Sequence, residues 1–265
     1  LKANLFGLGI PVISLLFLLL TAAKQSKQEE EQIKKAAPVA VKKDSTSNKS
    51  LYSNKVNALY DTLQLATTGL SLPVFEKAIT GFYNLKSTDN ASEKPILSII
   101  NFDQLSTEKR LYIIDIEKQE LVINTWVAHG ITSGRNEAVK FSNTPNSKAS
   151  SLGFYLTGET YYGKYGRSLR LDGMDQGFNT NARKRAIVLH GAKYVSQATI
   201  KNLGHLGRSQ GCPAVPFKQL NTVIDHLEDK TVIFINKTTE DYESKYLDVN
   251  LAATFVNQEL AENVD

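Results

Sequence analysis

From Glu93 to Lys237 the chain offers seven short runs that read as strands and only two that read as helices, an imbalance that removes most folds from consideration. The strand runs are ILSIINF from Ile96, RLYIIDI from Arg110, LVINTWVAHG from Leu121, LGFYLTG from Leu152, SLRLDG from Ser168, AIVLHG from Ala186 and TVIFIN from Thr231. They are rich in β-branched and aromatic residues and are separated by glycine, asparagine and serine. The helical runs are VSQATIKNLG after Tyr194 and PFKQLNTVIDHLEDK after Val215. Each parallel strand pair needs a long crossover, usually a helix, so two helices cannot serve a doubly wound parallel sheet. The expectation is an α+β domain that is mostly antiparallel β, within residues 91–240.

Upstream of it the character of the chain changes twice. Tyr52, Val56, Leu59, Tyr60 and Leu63 recur at helical spacing before Gly69, and Phe75, Ala78, Ile79 and Phe82 repeat the pattern after Ser71 and Pro73. This predicts a helical hairpin over 51–90, packed against the β domain rather than serving as a cap over substrate. Residues 24–50 are charged and poor in large apolar side chains, the composition of a linker. Residues 1–23 carry Lys2, an apolar run from Leu5 to Leu20 and then Thr21, Ala22 and Ala23, the order of a secretory signal cleaved after Ala23. An uncleaved membrane anchor is the alternative, because the run approaches the roughly 20 residues that span a bilayer. The chain is therefore expected to be exported to the periplasm or cell envelope. Residues 241–265 read as a polar C-terminal tail with a weak amphipathic stretch.

The formal net charge is only +4, and much of the lysine lies in the linker, so no basic stripe for nucleic acid is expected. One cysteine, Cys212, stands in GRSQGCPAVP. Exported proteins use cysteines mostly in pairs, so an unpaired one is either a reactive thiol or a small buried filler. Three features favour the thiol. His190 ends the apolar strand AIVLHG, where an imidazole can deprotonate a sulfur. Arg208 adds positive charge, and Gly211 frees the backbone to aim its own N–H and that of Cys212 at an oxyanion. Pro213 has no N–H to offer. His129, in VAHG, is the rival base, whereas His205 falls at a helix-to-loop junction. His190, His205 and Cys212 match no short-spaced zinc pattern and no HExxH, GxSxG, P-loop or dinucleotide fingerprint occurs, so neither metal nor cofactor is expected. YYGKYG at 161–166 reads as a tight hairpin.

HGA at His190 followed by SQGC at Ser209 to Cys212 resembles the histidine and Ser-x-Gly-Cys signature of the murein L,D-transpeptidase catalytic domain family, of YkuD-like fold. VAHG with SG at Ser133, FSN at Phe141, SSLGFY at Ser150, SLRLDG, GFN at Gly177 and GCPAVP extend the likeness from about Ile96 to Asn236. The resemblance implies a β-sandwich or flattened barrel with cysteine and histidine in one cleft. It implies Cys212 as nucleophile on a peptidoglycan stem tetrapeptide, with D-alanine released and the acyl group passed to a second stem amine. His190 would be base and then acid, the Gly191 carbonyl its orienting acceptor, and Ser209 and Gly211 parts of the loop that receives substrate. The family pattern has a histidine where this chain has Gln210 and an arginine where it has Ala214. Arg208 and Arg170 are candidate replacements in binding substrate. A hydrolase of the same fold, carboxypeptidase or endopeptidase, and a noncatalytic peptidoglycan-binding scaffold are the other readings.

Overall fold

Strands that are apolar without alternation must be covered on both faces, and the sheet of this protein shows what covers them. The structure, a computed structural model, describes residues 47–88, 90–164, 166–239 and 241–262. The apolar run at the N-terminus, the cleavage point at Ala23 and nearly all of the 24–50 linker lie outside the described residues. The described residues from Asn48 onward belong to one compact unit, which carries the sheet and the helices packed on it.

Among the described residues the chain opens with helix α1 over residues 47–62, a 3₁₀ turn at Leu65–Thr68 and helix α2 at Leu72–Lys86, and α1 and α2 form a helical hairpin. Eight strands follow: β1 Ile96–Asn101, β2 Leu111–Asp115, β3 Glu120–Thr125, β4 Gly153–Gly163, β5 Gly166–Gly173, β6 Val188–Ala192, β7 Ala214–Pro216 and β8 Val232–Asn236. Helix α3, Gln197–Leu203, lies between β6 and β7, and α4, Leu220–Leu227, between β7 and β8. The strands form one sheet in the order β3-β2-β1-β8-β4-β5-β6-β7. Among the described strands only β1–β8 and β6–β7 pair in parallel, and α3 supplies the crossover that the second of these needs. The mostly antiparallel expectation holds, and Gly163 pairs with Gly166 at the expected tight hairpin.

The central strands divide their side chains between two cores. Leu97 and Ile99 of β1, Tyr112 and Ile114 of β2, Phe154 and Leu156 of β4, and Val232 and Phe234 of β8 face the helical hairpin. Their neighbours Ile100, Ile113, Tyr155, Ile233 and Ile235 face the opposite core, shared with Leu169 and Leu171 of β5, Leu189 of β6 and α4. Period-two alternation therefore persists, but both of its faces are apolar, which is why the sequence shows unbroken hydrophobic runs. The hairpin thus packs against one face of the sheet and forms a wall of the fold.

The sheet nearly closes into a barrel. LVINTWVAHG reads as one strand, yet β3 stops at Thr125 and the residues beyond it cross to the far edge. There Ala128 N–H donates to Ala214 O at 2.8 Å, Ser209 N–H to His129 O at 3.0 Å and Ile131 N–H to Ser209 O at 2.8 Å. The change of partner breaks the strand and carries residues 127–131 to the cysteine loop. β7 is invisible in the sequence because three residues ending in proline are too few to show a period.

The segment expected as a polar tail contains helix α5, Val249–Glu262, whose Ala252, Ala253 and Val256 are buried in the core of the helical hairpin. Its buried stripe consists of small side chains, which give little amphipathic signal. The tail is also tied to the sheet through Asp175, which accepts hydrogen bonds from Phe154 N–H, Tyr242 Oη and Ser244 Oγ at 2.6–2.7 Å. Asn179 of GFN donates to Phe154 O at 2.8 Å. The LGFY and GFN motifs are thus structural, holding the C-terminal segment to β4.

Candidate active site

The site grows from the parallel pairing of β6 with β7. His190 is the register partner of Ala214, two residues beyond Cys212, and its N–H donates to Pro213 O at 3.3 Å. The histidine strand and the cysteine loop are therefore adjacent. The His190 ring is buried, with Nδ1 3.1 Å from Gly191 O. A carbonyl can only accept, so Nδ1 carries the proton and Nε2 is the basic nitrogen. Burial lowers the His190 pKa below the ordinary imidazole value, with the Gly191 carbonyl opposing. The imidazole is neutral at pH 7, the state a base requires.

Ser209 holds the cysteine loop in shape by closing it on itself. Its Oγ donates to Cys212 O at 2.6 Å and accepts Gly211 N–H at 3.0 Å. Gly211 has φ +120°, and a Cβ there would stand 2.7 Å from Ala149 O and 3.2 Å from Ile187 Cδ1. Glycine is required both by the backbone angle and by the close approach. Gly211→Ala is expected to lower the melting temperature by roughly 4 °C or more, from a left-handed conformation costing about 1–2 kcal/mol plus the displaced carbonyl. Differential scanning calorimetry checks this, and an unchanged transition would show that the loop tolerates a Cβ.

Cys212 is half-buried against the apolar core, and its Sγ donates to Ala186 O at 3.7 Å. Burial pushes its thiol pKa up, while the Val188 N–H, the Arg185 guanidinium and its own N–H pull it down. At neutral pH the resting group is therefore a thiol, and a base must take its proton during reaction.

The other expected residues divide. Gly191 owes its missing side chain to packing, not to substrate, since a Cβ would meet Leu220 Cδ2 at 2.9 Å and Phe217 Cδ2 at 3.1 Å. The Gly211 N–H, expected to face an oxyanion, is already committed to Ser209, which leaves the Cys212 N–H directed at its own sulfur. Arg208 donates to Gly134 O at 3.0 Å and braces the loop after β3. Arg170 pairs with Glu159 at 2.8 Å and lies over the Tyr161 ring, on the β4–β5 hairpin. Both arginines are thus engaged by partners within the protein, Arg208 by a backbone carbonyl and Arg170 by a carboxylate and a ring. Gln210 is exposed. Ala214 is buried in an apolar cluster with Ala128, Ala192, Val195 and Leu206, surroundings that do not suit an arginine.

His129 drops out as the rival base for a physical reason. The fully buried Arg110 donates to its Nδ1 at 2.8 Å, so that lone pair is occupied, and Nε2 is 3.4 Å from Gly134 O. Burial and the neighbouring Arg110 charge lower its pKa to about 3. His205 is buried beside Leu206 O, in the stretch between α3 and the cysteine loop. The residue that sequence reasoning misses is Arg185, whose Nη2 stands 3.4 Å from the Cβ position of Gly211 in the cysteine loop. Its position three residues before Val188 of the histidine strand is the available signal.

A family model of the L,D-transpeptidase catalytic domain matches residues 66–236. Among solved structures, the helical cell shape determining protein Pgp2 from Campylobacter jejuni is 14% identical, with 69% of this chain and 65% of that chain covered and a TM-score of 0.37. A mutant of the same protein gives 15% identity, 71% and 64% coverage and a TM-score of 0.39. An L,D-transpeptidase from Mycobacterium smegmatis is 10% identical, with 54% and 59% covered and a TM-score of 0.33. This chain spans less than two thirds of each of those chains. A search of curated proteins returns no match. The family match runs from the turn after α1 to the end of β8 and takes in both the histidine strand and the cysteine loop: the chain belongs to the L,D-transpeptidase catalytic domain family.

Proposed function

We propose that the protein is a peptidoglycan L,D-transpeptidase of the cell envelope that works through a Cys212 acyl-enzyme. The observation that carries this reading is the β6–β7 register, which sets a neutral, Gly191-oriented His190 beside the loop of the single cysteine. His190 Nε2 takes the thiol proton as sulfur attacks the carbonyl of the diamino acid at position three of a stem tetrapeptide. The Cys212 N–H stabilises the developing oxyanion. The tetrahedral adduct collapses to a thioester, and the leaving D-alanine amine receives the proton from His190. A second stem amine then attacks the thioester, gives its proton to His190 and expels the thiolate. The thioester preserves the energy of the cleaved peptide bond, so the exchange needs neither ATP nor metal. Export, and attachment through the N-terminal segment if it is not cleaved, would place the enzyme with its substrate.

Incubating the protein with disaccharide tetrapeptide and following the products by mass spectrometry tests this reading. The expected product is a cross-linked dimer accompanied by free D-alanine. Tripeptide without dimer would establish the hydrolase instead, and neither product, together with no carbapenem adduct on Cys212, would establish the scaffold. The acylation rate is expected to be flat near neutrality and to fall on acidification only below the ordinary imidazole range, because burial holds His190 below its usual value. A rate already halved at pH 7 on acidification would contradict a buried neutral base.

A further inference from the structure

Arg185 lies in the connection that leads into β6, and its guanidinium is the knot between two loops. Nη1 donates to Ser142 O at 2.6 Å and to Ser151 Oγ, while Nη2 donates to Ala149 O at 2.6 Å and to Ser147 Oγ at 3.0 Å. Residues 142–151 are thereby wrapped around one side chain. On its other flank Nη2 stands 3.4 Å from the Cβ position of Gly211, the residue before the thiol. The next residue, Ala186, supplies the carbonyl that receives the Cys212 Sγ–H. The Arg185–Ala186 pair thus touches the cysteine loop twice.

No carboxylate forms an ion pair with Arg185 among the described residues; all four of its acceptors are neutral oxygens. The titratable groups that act on it are Tyr155 and Cys212. Tyr155 is fully buried, and burial drives its hydroxyl further above its ordinary value, so it stays neutral. A half-buried cation held by neutral oxygens is short of an anion, and Cys212 is the facing group that becomes one during acyl transfer.

We propose that Arg185 is the positioning cation of Cys212, fastening the 142–151 loop against the cysteine loop and supplying the positive charge that the sulfur meets when its proton leaves. The proposal rests on the reading of Cys212 as nucleophile. It also accounts for a cysteine followed by buried Ala214: the charge comes from the entrance to the histidine strand, not from the strand after the cysteine.

Because the chain has one cysteine, its ionisation can be followed without substrate. The pH dependence of Cys212 alkylation by iodoacetamide would be measured in the folded protein and in Arg185→Gln and Arg185→Lys, with the melting temperature of each. In Arg185→Gln the midpoint is expected to rise by about one pH unit and alkylation at pH 7 to slow roughly tenfold. Arg185→Lys, which keeps the charge and loses the fork, is expected to stay within about half a unit of the unsubstituted protein even where its melting temperature falls. An unchanged midpoint in the glutamine variant, or a lysine variant that shifts as far as glutamine, would overturn the proposal. If Arg185→Gln does not fold, Arg185→Met takes its place as the uncharged variant, and a midpoint equal to that of Arg185→Lys would overturn the proposal. The readout is independent of cross-linking: a shifted midpoint in a protein that forms no dimer would retain Arg185's role and remove the transpeptidase.

Discussion

Cys212→Ser is expected to abolish D-alanine release, lowering the rate by at least about a thousandfold, the scale on which removal of a catalytic nucleophile acts. The substitution is nearly isosteric, and the loop that carries it is held by Ser209, Gly211 and the pairing of residues 129–131 with Ser209, none of which depends on sulfur. The melting temperature should accordingly stay within about 2 °C, since a buried one-atom change of similar volume costs little. The chemical loss follows from the base. The Nδ1 of His190 is oriented by the Gly191 carbonyl, a neutral acceptor. Such a base suffices for a thiol but leaves an alcohol, whose proton is far harder to remove, almost unreacted. Mass spectrometry of the tetrapeptide reaction reads the result directly. Retention of more than a tenth of the rate with the fold intact would sink the assignment of Cys212 as nucleophile.

The second large effect concerns the joint between the helical hairpin and the sheet. Phe154 of β4 is fully buried, stacked on Phe234 with ring centroids 4.5 Å apart and edge-on to Tyr246 at 6.1 Å. Its ring fills the space over Gly81 of α2, where a Cβ would overlap the ring atoms. Phe154→Ala is expected to cost about 3–5 kcal/mol, the usual penalty for deleting a buried aromatic ring, which would lower the melting temperature by roughly 10 °C. Gly81→Ala poses a contest between two effects. Helix propensity favours alanine by about 1 kcal/mol, whereas overpacking against a ring pinned by two other aromatics costs about 1–3 kcal/mol or more. Clash should win, and the variant should be less stable. In the Phe154→Ala background the ring is gone and only the propensity gain remains, so the same Gly81→Ala change should stabilise. Chemical denaturation of the four proteins measures this reversal of sign. Additive effects would show that α2 does not depend on the ring for its seat on the sheet.

Much of the architecture is legible because it is written in local pattern. The seven strand runs are short, rich in β-branched and aromatic residues and bounded by glycine, asparagine and serine, and the two later helices and the helical hairpin carry helical spacing, signals strong enough to be read without tertiary information. What escapes has either too little length or too weak a pattern. β7 has three residues, α5 buries mainly alanine, and the run after Leu121 cannot reveal that it changes partner at Trp126. At the site, His190 and Cys212 stand out because a strand-end histidine and a glycine-flanked lone cysteine are chemically unusual. Arg208 and Arg170 stand out only by proximity in sequence or by family pattern. The structure engages them elsewhere, with Gly134 and Glu159.

Composition and order of residues along the chain determined the α+β class, the single thiol and its candidate base. These rest on local periodicity and on the intrinsic chemistry of side chains. Only the tertiary structure decided that Arg110 occupies the ring of His129, that the Gly211 N–H is spent on Ser209, and that the Arg185 guanidinium reaches the cysteine loop at Gly211. Each of these is set by strand register and loop closure across the sheet. Burial decides which lone pair stays available and which charge lacks a partner, and burial is a property of the assembled fold.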